Sequence, residues 1–393
     1  MRQSSALILG TSISQYPILS DASLFFDRIG ICGPQPPDFD SNAQYHKVDL
    51  TSIIDLEQIM HSEKYQCILH CGSDIALKSA VELRARGFST PGLEINSFQI
   101  EQILDKSKFR ILLNEIGMIS PNSSIIKCKE ELKKWLDTRY KSGLSFIVKP
   151  IDSSGSKGVT FVDKISKFEK SFNLALSHSL SGRVIIEHYL SPSDFQICGD
   201  GIVRDGRLVF FGKGRGVCYS QSFIPLAEAF PYPTDKYDAA ITNGVEKICK
   251  KLRIKNCVFN VDIIPTEEGL FFCEFTPRLA GNFLYEAIRY CWGVDLFKAQ
   301  LDPSYEVSPR QPTPSITGML HQASNIQSLY SLDTYSKHVK QLVICKKIDK
   351  KNYEDYFKNS RTYGNCILSL SDEFIFNDMI SKSPEIFRLE KCE

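Results

Sequence analysis

The stretch FIVKPIDSSGSKGVTFV, residues 146–162, predicts the fold of this chain more directly than any other part of the sequence. Its two ends are apolar and rich in β-branched residues, which is typical of two strands joined by a loop. The loop combines two lysines with small residues, whose backbone N–H groups can approach anionic oxygens without interference from a Cβ atom. The stretch therefore predicts a hairpin that binds a polyphosphate. Its small residues are Ser153, Ser154, Gly155, Ser156 and Gly158.

A flexible Gly/Ser turn without a ligand is the alternative interpretation of this loop. Two common phosphate motifs do not fit it. No Gly-Lys-Ser/Thr sequence opens a helix, as a Walker loop requires, and no strand-to-helix turn follows, as the dinucleotide-binding fingerprint requires. The choice between a phosphate-binding hairpin and a plain turn therefore depends on the rest of the chain.

A second informative stretch is FNVDIIPTEEGLFFCEFTPRLAGN, residues 259–282, which predicts two apolar strands joined by a turn. Asp262 lies on the first strand and Glu274 on the second. Two carboxylates that face each other across such a pair can share a divalent cation. Mg²⁺ prefers one or two carboxylates together with phosphate oxygens. Either acid alone could equally lie on a solvated edge strand. Both acids and the phosphate loop together indicate a site that binds a nucleotide with magnesium.

The order of these elements resembles the ATP-grasp superfamily of carboxylate ligases over most of the chain. This resemblance implies a biosynthetic ligase that joins a carboxylate to an amine, through an acyl phosphate, and releases ADP and phosphate. It implies ATP and Mg²⁺, or Mn²⁺, as cofactors. The stretches that carry it are DKSKFR (105–110), IVKPIDSSGSKGV (147–159), VIIEHYL (184–190) and CEFTPR (273–278).

The resemblance also implies roles for individual residues. In the hairpin of residues 259–282, the metal ligands are Asp262, Glu274 and Thr276. The residues that stabilise the reacting phosphoryl group are Lys149, Arg215 and Arg278. Nucleotide binding is implied for Lys108, Lys149, Ser153, Ser154, Gly155, Ser156, Gly158, Val159, Glu187, His188, Tyr189, Leu190, Asp194 and Lys213.

One position departs from the family pattern. Where the family has Glu-x-Asn-Pro-Arg, this chain has Thr276 in place of the asparagine. A hydroxyl is a weaker metal ligand than an amide carbonyl, so the second metal position is in doubt. Two alternatives to amide or peptide ligation stay open, and Thr276 motivates the second of them. One is an ATP-dependent carboxylase that uses carboxyphosphate, and the other is a nucleotide-binding protein without turnover.

The composition limits the classes of partner and the cellular compartment that we expect for this chain. A length of 393 residues favours more than one domain, and a net charge of +1 gives no reason to expect nucleic acid or an anionic membrane as partner. The apolar N-terminal patch is too short for a secretion signal, and no run is long enough for a transmembrane helix. We therefore expect a cytoplasmic enzyme of small-molecule carboxylates and amines, and a homodimer is compatible with that. Cys67 and Cys71 flank His70, but a zinc site would need a second pair that the sequence lacks.

The predicted organisation has three parts. Alternating strands and helices over residues 1–100, including a helix at 21–30, predict an α/β domain with a parallel sheet. The resemblance implies a two-lobed α+β ATP-grasp domain at 101–305, with lobes at about 101–183 and 184–305. A small α+β C-terminal domain is expected at 306–393, with a helix at 353–360.

Overall fold

The computed structural model describes residues 3–218, 223, 225–320, 338–344, 364–370 and 372–386, and every structural statement below concerns these residues. Their strands form a four-stranded parallel sheet, a four-stranded antiparallel sheet and an eight-stranded antiparallel sheet. The predicted combination of a parallel α/β sheet with α+β parts is confirmed. No helix in the described ranges combines the length and apolarity needed to span a bilayer.

The parallel sheet has the strand order β3-β2-β1-β4. Residues 6–9 of β1 are fully buried, as expected for a strand covered by helices on both faces. Because the strands are parallel, the loops that follow β1 and β4 lie at the same edge of the sheet. Its strands are β1 (Gln3–Leu9), β2 (Phe26–Gly33), β3 (Gln44–Lys47) and β4 (Cys67–His70).

The first antiparallel sheet contains the predicted phosphate hairpin. Its strand order is β5-β8-β6-β7, and Phe146 pairs with Val162 across the hairpin, as predicted. An aromatic core of Trp135, Phe146 and Phe168 lies between this sheet and its helices. The strands are β5 (Ser123–Ile126), β6 (Phe146–Pro150), β7 (Thr160–Val162) and β8 (Val184–His188).

The eight-stranded sheet has the order β13-β12-β9-β10-β11-β14-β16-β15 and carries the predicted carboxylate hairpin as β12 and β13. Two of its core clusters lie on opposite faces, since the consecutive residues Val258 and Phe259 belong to different clusters. The strands are β9 (Ile197–Arg204), β10 (Arg207–Cys218), β11 (Pro225–Phe230), β12 (Cys257–Thr266), β13 (Gly269–Thr276), β14 (Ser315–Leu320), β15 (Val339–Ile344) and β16 (Gly364–Ser369).

Four of the described helices, α3, α4, α5 and α10, begin at side chains that accept hydrogen bonds from free backbone N–H groups. Ser73 accepts a hydrogen bond from Ala76 N, and Asp105 accepts one from Ser107 N. The helices are α1 (Tyr16–Ala22), α2 (Ile53–Ser62), α3 (Asp74–Ala85), α4 (Ser97–Leu104), α5 (Lys106–Glu115), α6 (Lys129–Arg139), α7 (Phe168–Ser177), α8 (Asp238–Leu252), α9 (Leu284–Trp292), α10 (Leu296–Leu301) and α11 (Glu373–Ile386).

Some local predictions differ from the structure. The helix predicted at 21–30 is wrong. α1 ends at Ala22, and Phe26–Gly33 forms β2, because this apolar segment pairs with β1 as a parallel strand. β8 begins at Val184, after the predicted lobe boundary at residue 183, but it pairs with β5 and β6, which belong to the first predicted lobe. β14 likewise extends the eight-stranded sheet by pairing with β11. The domain boundaries stay a prediction, and the helix predicted at 353–360 lies outside the described residues.

Candidate functional site

Two carboxylates face each other on the β12–β13 hairpin. Asp262 lies directly opposite Glu274 in the strand register, as the sequence predicts. Gln196 Nε2 donates a hydrogen bond of 3.1 Å to Asp262 Oδ1. Burial, and then the negative charge on Glu274, raise the pKa of Asp262 to about 7. Two carboxyls held this close favour a cation between them.

Lys106, which the sequence analysis did not single out, connects this hairpin to the phosphate loop. Its Nζ lies 2.5 Å from the carbonyl oxygen of Ser153 and 3.7 Å from Glu274 Oε1. Lys108, the lysine chosen from the resemblance, is instead paired with Glu101 on the preceding helix and is partly exposed. The structure therefore brings Lys106, and not Lys108, between the two predicted elements.

Lys149 and Glu187 form a buried ion pair behind the loop. Lys149 Nζ lies 2.7 Å from Glu187 Oε2, and Arg110 Nε donates to Glu187 Oε1 at 2.8 Å. Burial alone would raise the pKa of Glu187, but the charges of Arg110 and Lys149 hold it at about 2. Arg110 Nη1 also donates to the carbonyl oxygen of Cys273, next to Glu274. The network thus joins the phosphate hairpin to the carboxylate hairpin.

The loop of residues 153–159 has a backbone suited to anion binding. Gly155, Ser156 and Gly158 have positive φ values of 67°, 56° and 73°. Turns of this kind can direct successive N–H groups into one concavity. Ser156 Oγ donates to the carbonyl oxygen of Phe223, and Val159 N donates to that of Ser156. Ser153 and Ser154 are partly exposed at the start of the loop.

The segment after β8 is the predicted adenine hinge. His188 N donates to the carbonyl oxygen of Asn122, and Tyr189 N donates to that of Ser145. These two amides are therefore used by the fold. Leu190 packs against the main core. Of the four hinge residues named from the resemblance, Glu187 lies in the buried ion-pair network, where its carboxylate contacts Arg110 and Lys149. Its predicted contact with the base stays a prediction.

Asp194 and Arg215 lie beside the same aromatic residue. Asp194 accepts hydrogen bonds of 2.8 Å from Phe195 N and from the hydroxyl of Tyr237. Burial opposes ionisation of Asp194, but these two bonds hold its pKa below the usual value. The guanidinium of Arg215 lies 4.7 Å from the centre of the Phe195 ring. The structure thus brings these two predicted residues close together.

Lys213 is directed away from β12 and β13. Its Nζ donates to the carbonyl oxygen of Thr234 at 2.6 Å and forms an ion pair with Asp238 at the start of α8. It also lies 5.5 Å from the ring centre of Tyr232. In this arrangement Lys213 ties β10 to α8, and its predicted contact with a nucleotide stays a prediction.

Arg278 is held by the N-terminal part of the chain. Its Nε and Nη2 donate to Asp74 Oδ1 at 3.0 and 2.8 Å. The two parts pack closely at this point, since a Cβ on Gly72 would lie 2.7 Å from the Cα of Gly281. Gly72 also has a φ of +60°, which favours glycine. The carboxyl edge of the parallel sheet therefore borders the segment that carries Arg278.

Thr276, which replaces the family asparagine, is 4% exposed and lies opposite Asn260 in the register. Asn260 Nδ2 donates to Asp200 Oδ1 at 3.0 Å. Within the described residues, no group of three or more His, Cys, Asp or Glu side chains is arranged for a metal ion. The Asp262–Glu274 pair would therefore need oxygen ligands from elsewhere, such as phosphate, to complete a coordination shell.

Sequence reasoning missed four residues around the site: Lys106, Arg110, Asp74 and Gln196. A local signal existed for Lys106, because Asp105 is a helix N-cap and places the next residue at the first helical position. No local signal existed for Asp74, since 204 residues separate it from Arg278. Such a contact depends on how the sheets pack.

Comparisons with known proteins bear on the fold of the chain. No model of a known protein family matches the chain. The chain is 25% identical over 253 residues to the carbamoyl phosphate synthase large chain of Haemophilus ducreyi, a match that covers 63% of this chain and 23% of that protein. The chain thus spans less than a quarter of the curated relative.

Two solved structures are similar over nearly their whole length. One is N5-carboxyaminoimidazole synthetase from Staphylococcus aureus complexed with ADP, with a TM-score of 0.75, 16% identity and coverage of 98% of this chain and 97% of that chain. The other is L-amino acid ligase from Bacillus licheniformis, with a TM-score of 0.75, 13% identity and coverage of 97% and 98%. At these identities the likeness establishes the fold.

Proposed function

We propose that this chain, which has the ATP-grasp fold, is an ATP-dependent carboxylate–amine ligase that forms an amide or peptide bond. In this reaction a carboxylate oxygen attacks the γ-phosphorus of ATP, and ADP leaves. The amine nitrogen then attacks the acyl carbon of the resulting acyl phosphate. The carbon–nitrogen bond forms as the bond from carbon to the phosphate oxygen breaks, the nitrogen loses a proton to the departing phosphate or to water, and phosphate is released.

The single observation that supports this proposal most is the position of Lys106. Its ammonium lies between the backbone of the phosphate loop at Ser153 and the carboxylate Glu274. A cation at the junction of an anion-binding loop and a metal-binding hairpin is suited to a polyphosphate. Phosphoryl transfer needs mainly positioning and charge stabilisation, and these are the features that this junction offers.

The residues also fit a divalent cation. Asp262 and Glu274 face each other, and their mutual repulsion contributes to the raised pKa of Asp262, so a cation would relieve it. Thr276 adds a hydroxyl at the end of the same strand. Mg²⁺ or Mn²⁺ held there would neutralise charge on the phosphate oxygens.

The remaining residues have supporting roles in this proposal. Lys149, fixed by Glu187, stabilises charge on the transferring phosphoryl group, and Arg278, fixed by Asp74, stabilises the acyl phosphate. The loop of residues 153–159 covers the phosphates. Leu190 and its neighbours border the base, and Asp194 binds the ribose hydroxyls. Little acid–base chemistry is required, because phosphate is a good leaving group.

We further propose that the chain is located in the cytoplasm and forms a homodimer. Light scattering of the purified chain measures its mass in solution. A mass twice that of the chain supports the dimer, and the mass of a single chain contradicts it.

A carboxylase that uses carboxyphosphate is the second candidate. The observation in its favour is the similarity of the whole chain to a carboxyaminoimidazole synthetase, although L-amino acid ligase is similar to the same degree. In a carboxylase, bicarbonate would take the place of the substrate carboxylate.

Phosphate release separates the candidates. The purified chain is incubated with Mg²⁺ and ATP, together with single L-amino acids, pairs of them, or bicarbonate. The ligase proposal predicts ADP and phosphate in equal amounts only with particular amino acids. Turnover that depends on bicarbonate would select the carboxylase. Nucleotide binding without turnover under every condition, in a Mg²⁺-dependent binding assay, would select a protein that binds ATP and does not use it.

A further inference from the structure

A row of carboxyl groups extends beyond the proposed metal pair on one face of the eight-stranded sheet. Asp262, Asp200 and Glu228 share this face, because directly opposite residues of antiparallel strands lie on one face and alternate residues return to it. Asp262 lies opposite Cys198, which is two residues from Asp200 on β9. Asp200 lies opposite Gly212 on β10, and Glu228 lies opposite Gly216, four residues further along β10.

Asp200 and Glu228 differ in their hydrogen bonds. Asp200 is fully buried and accepts hydrogen bonds from Asn260 Nδ2 at 3.0 Å and from Ala280 N at 3.1 Å. Glu228 is 8% exposed, and the side chain of Asn282 hydrogen-bonds its carboxyl group. Its Oε2 atom is buried and has no hydrogen-bond partner among the described residues. An unsatisfied buried carboxyl oxygen is costly, so a ligand that donates a hydrogen bond to Glu228 Oε2 would supply what the described residues do not.

Among the described residues, little covers the sheet surface beside Glu228, where Gly216 is partly exposed. Gly216 lies directly opposite Glu228, and a Cβ there would meet nothing closer than Gln196 Cδ at 3.6 Å. The neighbouring glycines of the same face are covered, since a Cβ on Gly212 would lie 2.7 Å from Ile288 and one on Gly214 would lie 2.4 Å from Phe230. Within the part of the chain that the structure describes, the face is therefore open at Gly216 and closed towards α9.

A cation would be stabilised by the carboxyl groups on this face. Arg278, whose charge acts on Asp200 and Asp262, is already bound to Asp74. Burial raises the pKa of Glu228 well above its usual value, and the charge on Asp262 raises it further. Both effects would be relieved by a positive group at Glu228 Oε2.

We propose that Glu228 binds the ammonium group of the acceptor amine, over Gly216 and beside Gln196. This inference rests on the proposed ligase function and gives its second substrate a chemical class. Primary aliphatic amines have a pKa near that of lysine, ~10.4, and α-amino groups one of about 7.7–8.0, so both arrive mainly as cations at pH 7. The bound ammonium releases its extra proton to solvent before the nitrogen attacks, because only the free amine has a lone pair. The acceptor is therefore a primary amine or the α-amino group of an amino acid. Lys106 and Lys149 lie on the side of the site proposed for the anionic carboxylate substrate, whereas Glu228 lies on the side proposed for the amine. The two substrates therefore bind to parts of the site that carry opposite charges.

Hydroxylamine provides a test that separates the acceptor site from the donor site. It is small, largely uncharged near neutral pH, and converts an acyl phosphate to a hydroxamate without needing an ammonium site. The donor is the carboxylate that gives most hydroxamate with wild-type protein, and the acceptors are amino-acid amides, which carry no free carboxylate. Glu228→Gln is expected to raise the KM of the amide acceptor by about 10- to 100-fold, the range for a lost charged hydrogen bond. It is expected to leave the kcat at saturating amide and the rate of hydroxamate formation unchanged.

Glu286→Gln is the matched control. Glu286 is a buried acid that contacts Arg289 at 3.1 Å, so its loss should lower stability without changing the KM of the amide. If Glu228→Gln does not fold, Gly216→Val tests the same surface, because it covers the partly exposed strand and should raise the same KM. An unchanged KM in Glu228→Gln, or in Gly216→Val where that variant is used, would overturn the inference. Wild-type protein that forms no hydroxamate with any carboxylate would overturn the ligase function itself.

Discussion

Asp74 Oδ1 accepts two hydrogen bonds from the guanidinium of Arg278, one from Nε at 3.0 Å and one from Nη2 at 2.8 Å. Asp74 begins α3 at the carboxyl edge of the parallel sheet, whereas Arg278 follows β13. The orientation of a proposed phosphate-stabilising arginine therefore depends on residues more than 200 positions earlier in the chain.

Asp74→Asn should lower kcat without changing the affinity for ATP. The amide keeps the size of the side chain but removes the negative charge, so Arg278 is held less firmly. Charge-assisted hydrogen bonds contribute about 1.5–3 kcal/mol, which corresponds to a loss of about 10- to 100-fold. Steady-state phosphate release measures it. Glu57→Gln, which removes a partly exposed acid that pairs with Arg86, is the control, and an equal loss in both variants would contradict the role of Asp74.

Lys106 and Lys108 provide a direct comparison on one helix. Lys106→Met should weaken ATP binding by about 10-fold or more, because it removes a cation between the phosphate loop and Glu274. Lys108→Met should have little effect, because Lys108 pairs with Glu101 at the surface. Calorimetric titration with an ATP analogue and Mg²⁺ gives both affinities. The reverse order would restore Lys108 as the phosphate-binding lysine.

The carboxylate pair should be essential for turnover. Glu274→Gln is expected to lower phosphate release by about 100-fold or more, and Asp262→Asn to act similarly but less severely, since one carboxylate remains. Glu268→Gln, in the exposed turn of the same hairpin, is the control. Circular dichroism confirms folding of each variant. Normal turnover in Glu274→Gln would remove the metal assignment.

His70 should make stability depend on pH. It is 1% exposed, and neither ring nitrogen has a hydrogen-bond partner among the described residues. Burial, together with the charge on Arg278, lowers its pKa to about 4 from the usual 6.5. Between pH 4 and 6.5 the unfolded chain binds a proton on His70 that the folded chain does not bind. The contribution of neutral His70 to the stability of the folded protein is therefore complete above about pH 6.5 and is lost as the pH falls towards 4.

The expected loss from His70 over this range is about 3 kcal/mol, from 1.36 kcal/mol per unit of pKa. Urea unfolding of wild type and His70→Leu at several pH values measures it, and the variant should show the smaller dependence. His61→Leu, which removes an exposed histidine of α2, controls for loss of a histidine. Parallel curves for wild type and His70→Leu would refute the prediction.

The two hairpins could be predicted from sequence because their signals are local. Alternating apolar residues gave the strands, small residues gave the loop, and the register of β12 and β13 follows from a short turn between Asp262 and Glu274. The helix predicted at 21–30 failed because its apolar residues suit a buried strand as well as a helix.

The contacts between distant elements could not be predicted in this way. Glu187 was assigned to the adenine hinge from its position in VIIEHYL, yet it lies between Arg110 and Lys149. That arrangement depends on α5 packing against β8, which no local pattern specifies. Lys106 lies two residues from the lysine chosen for the site, and only the direction of each side chain from α5 distinguishes them.

Isotope transfer tests the acyl phosphate most directly. The purified chain is incubated with Mg²⁺, ATP, an amine and a carboxylate labelled with ¹⁸O, and the products are analysed by mass spectrometry. Because a carboxylate oxygen attacks the γ-phosphorus and leaves with it, we predict ADP and phosphate that carries one ¹⁸O atom. Formation of AMP and pyrophosphate, or phosphate without label from the carboxylate, would contradict the proposed ligase mechanism.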